Sequence, residues 1–80
     1  MSKSLFDLEV GQEGVLSNLK EVPGTEGILK SLLDMGFLPG MKIRVVAKFK
    51  SQGKLVVKLG LVELALRKIE ADLIELGDTK

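Results

Sequence analysis

The chain contains no cysteine, no histidine, no tryptophan and no tyrosine. Without cysteine there is no disulfide, thiolate metal site or thiol nucleophile, and such a chain fits a reducing compartment. Without histidine it lacks the side chain that ordinarily titrates near neutrality, and its Ser, Asp and Glu residues gather around no recognisable base. Nucleophilic and general acid–base catalysis therefore lack their usual parts, so no enzyme and no catalytic residue is expected. Long apolar runs are missing too. Nowhere do about 18 apolar residues follow one another, and Asp7 and Glu9 interrupt the stretch that a signal peptide would need to keep apolar. A cytoplasmic protein is expected, peripheral to a membrane at most.

Transition metals are usually held by imidazole, thiolate or mixed imidazole–carboxylate sets. This chain offers only carboxylates, amides, thioethers and main-chain oxygens. Glu70, Asp72 and Glu75 lie near one another in sequence and are expected as a solvated acidic edge. Met35 and Met41, either side of a Pro-Gly turn, are expected as core filler. Neither a metal site nor a cofactor is anticipated.

What remains is apolar and patterned. Hydrophobic residues make up 45% against 29% charged, a balance that favours a folded domain over disorder. At 80 residues the chain is long enough for one core, so residues 1–80 are expected to form a single domain. Gly11 and Gly14 bracket a turn into a first strand over 15–19, which Pro23-Gly24 ends. Thr25 stands at a helix N-cap position, and Ile28, Leu29, Leu32, Leu33 and Met35 make one helical stripe. Gly27 inside that helix predicts close approach of a strand. Gly36 supplies the C′ glycine, and Pro39-Gly40 a type II turn. A strand then alternates Met41, Ile43, Val45, Ala47 and Phe49 against Lys42, Arg44, Val46, Lys48 and Lys50. After Ser51-Gln52-Gly53 the alternation resumes, with Leu55, Val57 and Leu59 facing inward. Gly60 breaks or bulges the ladder. Val62, Leu64 and Leu66 form the inner set of the next strand, a helical turn spans 67–72, and a last short strand covers 73–76. The order predicts a mainly β fold: a small SH3-like β-barrel of about five strands with one inserted α-helix, ahead of an open α+β sandwich.

The string Leu32-Leu-Asp-Met-Gly-Phe-Leu-Pro-Gly-Met-Lys-Ile-Arg-Val-Val46 closely resembles the signature of the FeoA family. Gly60 with Leu64-Ala65-Leu66-Arg67, then Glu70-Ala71, Ile74 and Leu76, agree with the family's carboxyl half. Leu8, Gly11 and Gly14 resemble its opening. The resemblance implies an SH3-like domain, shared with iron-dependent repressors, and a cytosolic accessory role in ferrous iron uptake. Its implied partner is the cytosolic part of a FeoB-type membrane GTPase. Two alternatives stand beside it: a metal-responsive regulatory module acting alone, and a nucleic-acid-binding barrel.

Charge is unevenly spread. Residues 1–34 hold three basic and six acidic groups, and residues 63–80 three basic and five acidic. Residues 35–62 hold Lys42, Arg44, Lys48, Lys50, Lys54 and Lys58 with no acid at all. Their alternation predicts that all six lie on the outward set of one hairpin. They serve either to protect the sheet from edge pairing or to steer the domain to an acidic partner or surface. Leu38, at the tip of the Pro39-Gly40 turn, is a candidate docking residue. Phe49 falls with the core set, which leaves the hairpin without the aromatic platform of a single-strand binder. A GTPase partner raises an arginine finger for Arg67, but an ion pair with Glu63 or Glu70 accounts for it more simply. An open edge strand leaves weak homodimerisation possible.

Overall fold

The computed structural model describes residues 3–77. Six strands form one antiparallel sheet: β1 (Lys3–Ser4), β2 (Glu13–Leu19), β3 (Lys42–Phe49), β4 (Lys54–Leu59), β5 (Val62–Arg67) and β6 (Ile74–Leu76). They lie in the order β1-β6-β2-β3-β4-β5. The helix α1 (Glu26–Asp34) is inserted between β2 and β3, and a one-turn helix α2 (Lys68–Asp72) links β5 to β6. The strand count exceeds the expectation by one, because β1 pairs with β6 through only two residues, Lys3 opposite Leu76 and Ser4 opposite Glu75. So short a strand leaves no periodicity in sequence. It leads into a 3₁₀ turn, Leu5–Asp7, that drops Leu5 fully into the core.

The sheet curls around a core of Leu5, Leu16, Leu32, Phe37, Ile43, Val45, Leu55, Val57, Leu66 and Ile74, each almost wholly buried. Burial of this apolar surface is the main stabilising term, since the chain has no cysteine and so no disulfide to add to it. No buried side-chain nitrogen or oxygen lacks a hydrogen-bond partner among the described residues.

Helix α1 ends as its glycine requires. Gly36 takes φ +102°, its N–H donates to the Leu33 carbonyl at 3.0 Å, and the Phe37 N–H donates to the Leu32 carbonyl at 3.1 Å. These two bonds are the Schellman closure, and Leu32 and Phe37, its usual apolar pair, are both fully buried. At the other end Thr25 occupies the N-cap, but its hydroxyl donates backward to the Val22 carbonyl at 2.6 Å and makes no cap bond. Gly27 is not approached by a strand. A Cβ built there meets nothing within 4 Å. Gly14 is the crowded glycine, where a Cβ would lie 2.8 Å from Leu76 Cδ1.

The β3–β4 hairpin forms, with Ile43 opposite Leu59 and Phe49 opposite Lys54. Its alternation is broken once. Val45 pairs with Val57 but Ala47 pairs with Val56, so Val46 is an extra residue, a β-bulge. Beyond it every side chain changes face. Lys48 comes opposite buried Leu55 and is half-buried, whereas Phe49 turns outward and is 43% exposed. The expectation of Phe49 in the core and Lys48 outside is thereby corrected. Two more corrections lie nearby. Gly60, φ +64°, neither breaks nor bulges the ladder but opens the two-residue β4–β5 turn, because Leu59 pairs directly with Val62. Val62 has the inward parity but is exposed, since it lies at the sheet's open end.

Candidate partner-binding surface

Of the six hairpin cations, the structure brings three together. Lys42, Arg44 and Lys58, with Glu13 and Gly60, line a shallow open groove of ≈ 350 Å³. Register explains the convergence: Arg44 lies directly between Glu13 on β2 and Lys58 on β4, and Lys58 in turn faces Glu63 on β5. Arg44 Nε approaches Glu13 Oε2 at 3.5 Å, with both side chains about half exposed. Such a pair adds little stability and leaves most of the guanidinium's donors open. The row therefore reads acid, base, base, acid across four strands. Acidic neighbours at both ends of the row partly offset its charge.

The other three cations separate from this group. Lys54 lies beyond an apolar band formed by Ala47, Val56 and Ala65, with its Nζ 5.6 Å from the centroid of Phe49. Lys50 stands in the 3₁₀ turn Lys50–Gln52. Lys48 leaves the outer face altogether. Its Nζ donates to the Leu8 carbonyl at 2.9 Å and lies 5.1 Å over the Phe6 ring, so this cation holds the amino-terminal segment. Phe49 thus does sit outside among basic groups, contrary to the parity argument. It is one ring with a lysine over it, which is not a series of stacking platforms.

Leu38 is 49% exposed at the tip of its turn. Met41 N–H donates to the Leu38 carbonyl at 3.1 Å and Gly40 N–H to the Leu16 carbonyl at 2.8 Å, which fix the turn against β2. Gly40 has φ +94°, as the second central position of a type II turn demands. Met41 is exposed rather than core filler, and Met35 is half-buried. Near this turn lies apolar surface that the sequence pattern concealed. The α1 stripe has five apolar members, yet only Leu32 is buried, and Leu33 is 48% exposed. Leu29 and Leu33 line shallow grooves with Val22 and Pro23 on one side and with Leu19 and Pro39 on the other. A stripe wider than the surface available to cover it was the only sign.

Arg67 makes no ion pair with Glu63 or Glu70 among the described residues. Glu70 instead accepts the Arg67 backbone N–H at 2.8 Å. Asp72 pairs with Lys68 at 2.8 Å. No group of three or more acidic residues is placed to hold a metal ion among the described residues. No helix of the described residues is long and apolar enough to cross a membrane.

The comparisons with known proteins agree with this architecture. The zinc-complexed FeoA of Stenotrophomonas maltophilia, described as a prokaryotic SH3 domain protein and a candidate activating factor of ferrous iron transport, superposes with a TM-score of 0.83 at 28% identity. That match covers 94% of this chain and 89% of the other. Iron(II) transport protein A of Clostridium thermocellum is 32% identical with a TM-score of 0.77, over 92% of this chain and 44% of that one. A manganese-dependent transcriptional repressor matches with a TM-score of 0.84 at 17% identity, over 94% of this chain and 40% of its own, a likeness of fold alone. No curated protein matches significantly. The model of the FeoA domain matches residues 3–76, nearly the whole length, and this chain belongs to the FeoA family with its SH3-like fold.

Proposed function

We propose that the protein is a non-enzymatic cytosolic accessory of ferrous iron uptake that binds the intracellular part of a FeoB-type GTPase transporter and modulates it. The observation that carries the proposal is the convergence of Lys42, Arg44 and Lys58 on one open groove of a chain that the FeoA model matches almost end to end. Cations held half-solvated on a rigid sheet attract an acidic partner and orient it, and they do so without reactive side chains. Leu38, on a turn tied to β2, supplies an apolar contact that such an encounter can bury.

Purified cytosolic domains of the transporter, titrated with the folded protein at low and at physiological salt, test the proposal. Association that weakens as salt rises is expected. No detectable binding at low salt refutes it. The fold shared with a manganese-dependent repressor favours a second reading, a metal-responsive module. Equilibrium dialysis with Fe(II) and Mn(II) separates the two, since micromolar metal binding supports only the second.

A further inference from the structure

Strand β5 ends the sheet, and its six-residue ladder with β4 runs without a register shift. The two-residue turn at Gly60-Leu61 makes Leu59 and Val62 a hydrogen-bonded pair, and hydrogen-bonded pairs then alternate along an antiparallel ladder. Val62, Leu64 and Leu66 thus bond to β4. Glu63, Ala65 and Arg67 direct their N–H and C=O groups to the open side. The Arg67 N–H confirms this direction, because Glu70 Oε1 reaches it there at 2.8 Å. Glu63 and Ala65 make no other backbone bond among the described residues. Natural sheets usually guard such an edge with proline, bulges or charged side chains, lysine above all. Here the outward set has no proline, bulge or lysine, and its charges are of opposite sign: Glu63, small Ala65 and Arg67 are equally spaced.

We infer that the β5 edge is a self-complementary surface that pairs antiparallel with β5 of a second copy about a twofold axis at Ala65. In that register Ala65 faces Ala65 of the second copy and exchanges two N–H···O=C bonds with it. Glu63 faces Arg67 of the second copy, and Arg67 faces its Glu63. The two Glu63 N–H groups reach Arg67 carbonyls across the axis, while Glu70 keeps the Arg67 N–H groups, so neither edge is left with a stranded donor. Arg67 has no such partner within its own chain: its neighbour on β4 is Lys54, a like charge, and no carboxylate of the described residues pairs with its guanidinium. The same register sets the Gly60-Leu61 tip of one copy beside the start of α2 in the other. Leu61, 96% exposed, and Ile69, 53% exposed, both lie there. Opposite charges across a strand pair and apolar contact at both ends favour a second copy over an arbitrary strand. The surface does not depend on the transporter proposal.

Sedimentation velocity of the full chain from about 10 μM to about 1 mM tests the inference, with amide exchange followed over the same range. A monomer–dimer equilibrium is expected, with the Glu63 and Ala65 amides gaining protection as concentration rises. Glu63→Arg places two like-charge pairs across the axis and weakens dimerisation roughly tenfold. The double reversal of Glu63→Arg with Arg67→Glu restores it. Ala65→Pro removes an outward N–H that β4 does not use, and abolishes the dimer while leaving the monomer folded. A chain monomeric throughout the range overturns the inference. So does a dimer indifferent to Ala65→Pro, or one that the double reversal does not restore.

Discussion

Lys48 donates to the Leu8 carbonyl at 2.9 Å across forty positions of chain. The bond exists because Val46 bulges out of β3 and turns Lys48 toward the amino-terminal segment. There its Nζ also lies 5.1 Å over Phe6, whose ring has Lys68 Nζ at 5.6 Å as well. A cation in the middle of a basic stripe therefore acts as a strap that holds the 3₁₀ turn and buried Leu5 against the barrel.

Lys48→Met keeps the aliphatic stem and removes the donor. It is expected to destabilise the fold by about 1–2 kcal/mol, from the lost bond to Leu8 and the lost contact with Phe6. Lys50→Met, on the solvated turn two residues later, should change stability by less than about 0.5 kcal/mol. Urea unfolding of both variants measures the difference.

Gly14, on β2 between β3 and β6, has the tip of the Leu76 side chain where a methyl group would stand. Gly14→Ala puts a Cβ 2.8 Å from Leu76 Cδ1 and 3.3 Å from Cδ2, and Leu76 is itself buried. A loss of about 1–3 kcal/mol is expected. Leu76→Ala removes the clashing atoms, so the double variant should be more stable than the sum of the two single losses predicts. Thermal or urea denaturation of the three variants completes the cycle, and simple additivity would place the strain elsewhere.

Gly27 behaves in the opposite way. It is in the first turn of α1 with negative φ and open space around its Cβ position. Gly27→Ala should therefore raise stability by about 0.5 kcal/mol through helix propensity and a less flexible unfolded chain. A loss of stability would show that the glycine makes room for something the isolated chain does not display.

The contrast between these glycines shows what was legible in the sequence. Gly36 and Gly40 announced themselves, because positive φ at a helix end or a turn is a local requirement written in the flanking residues. That Gly14 is crowded and Gly27 open is decided by what packs beside each, which depends on distant strands. The bulge was hidden for a related reason. Val45, Val46 and Ala47 are three apolar residues in succession, so the period of two continued across the extra residue with no visible fault. One unseen residue then moved Lys48 and Phe49 to opposite faces. The order of elements along the chain, the inserted helix and the hairpin were readable because each rests on local pattern; the membership of the basic surface was not, because it rests on register.

That altered membership leads to a prediction about binding rather than stability. Lys42, Arg44 and Lys58 converge on the open groove, while Lys48 is turned away from it. Reversing Lys42 or Arg44 to Glu should slow association with an acidic transporter domain roughly tenfold at low salt, with the loss shrinking as ionic strength rises. Arg44→Glu should act the more strongly, since it also sets a carboxylate against Glu13. Lys48→Gln should leave the association rate unchanged, although a count of hairpin charges gives it half the weight of either reversal. Stopped-flow association of the three variants at two salt concentrations decides between register and charge count. Slowing by all three in proportion to the charge each loses would mean that net charge alone steers the encounter and that the groove has no special part in it.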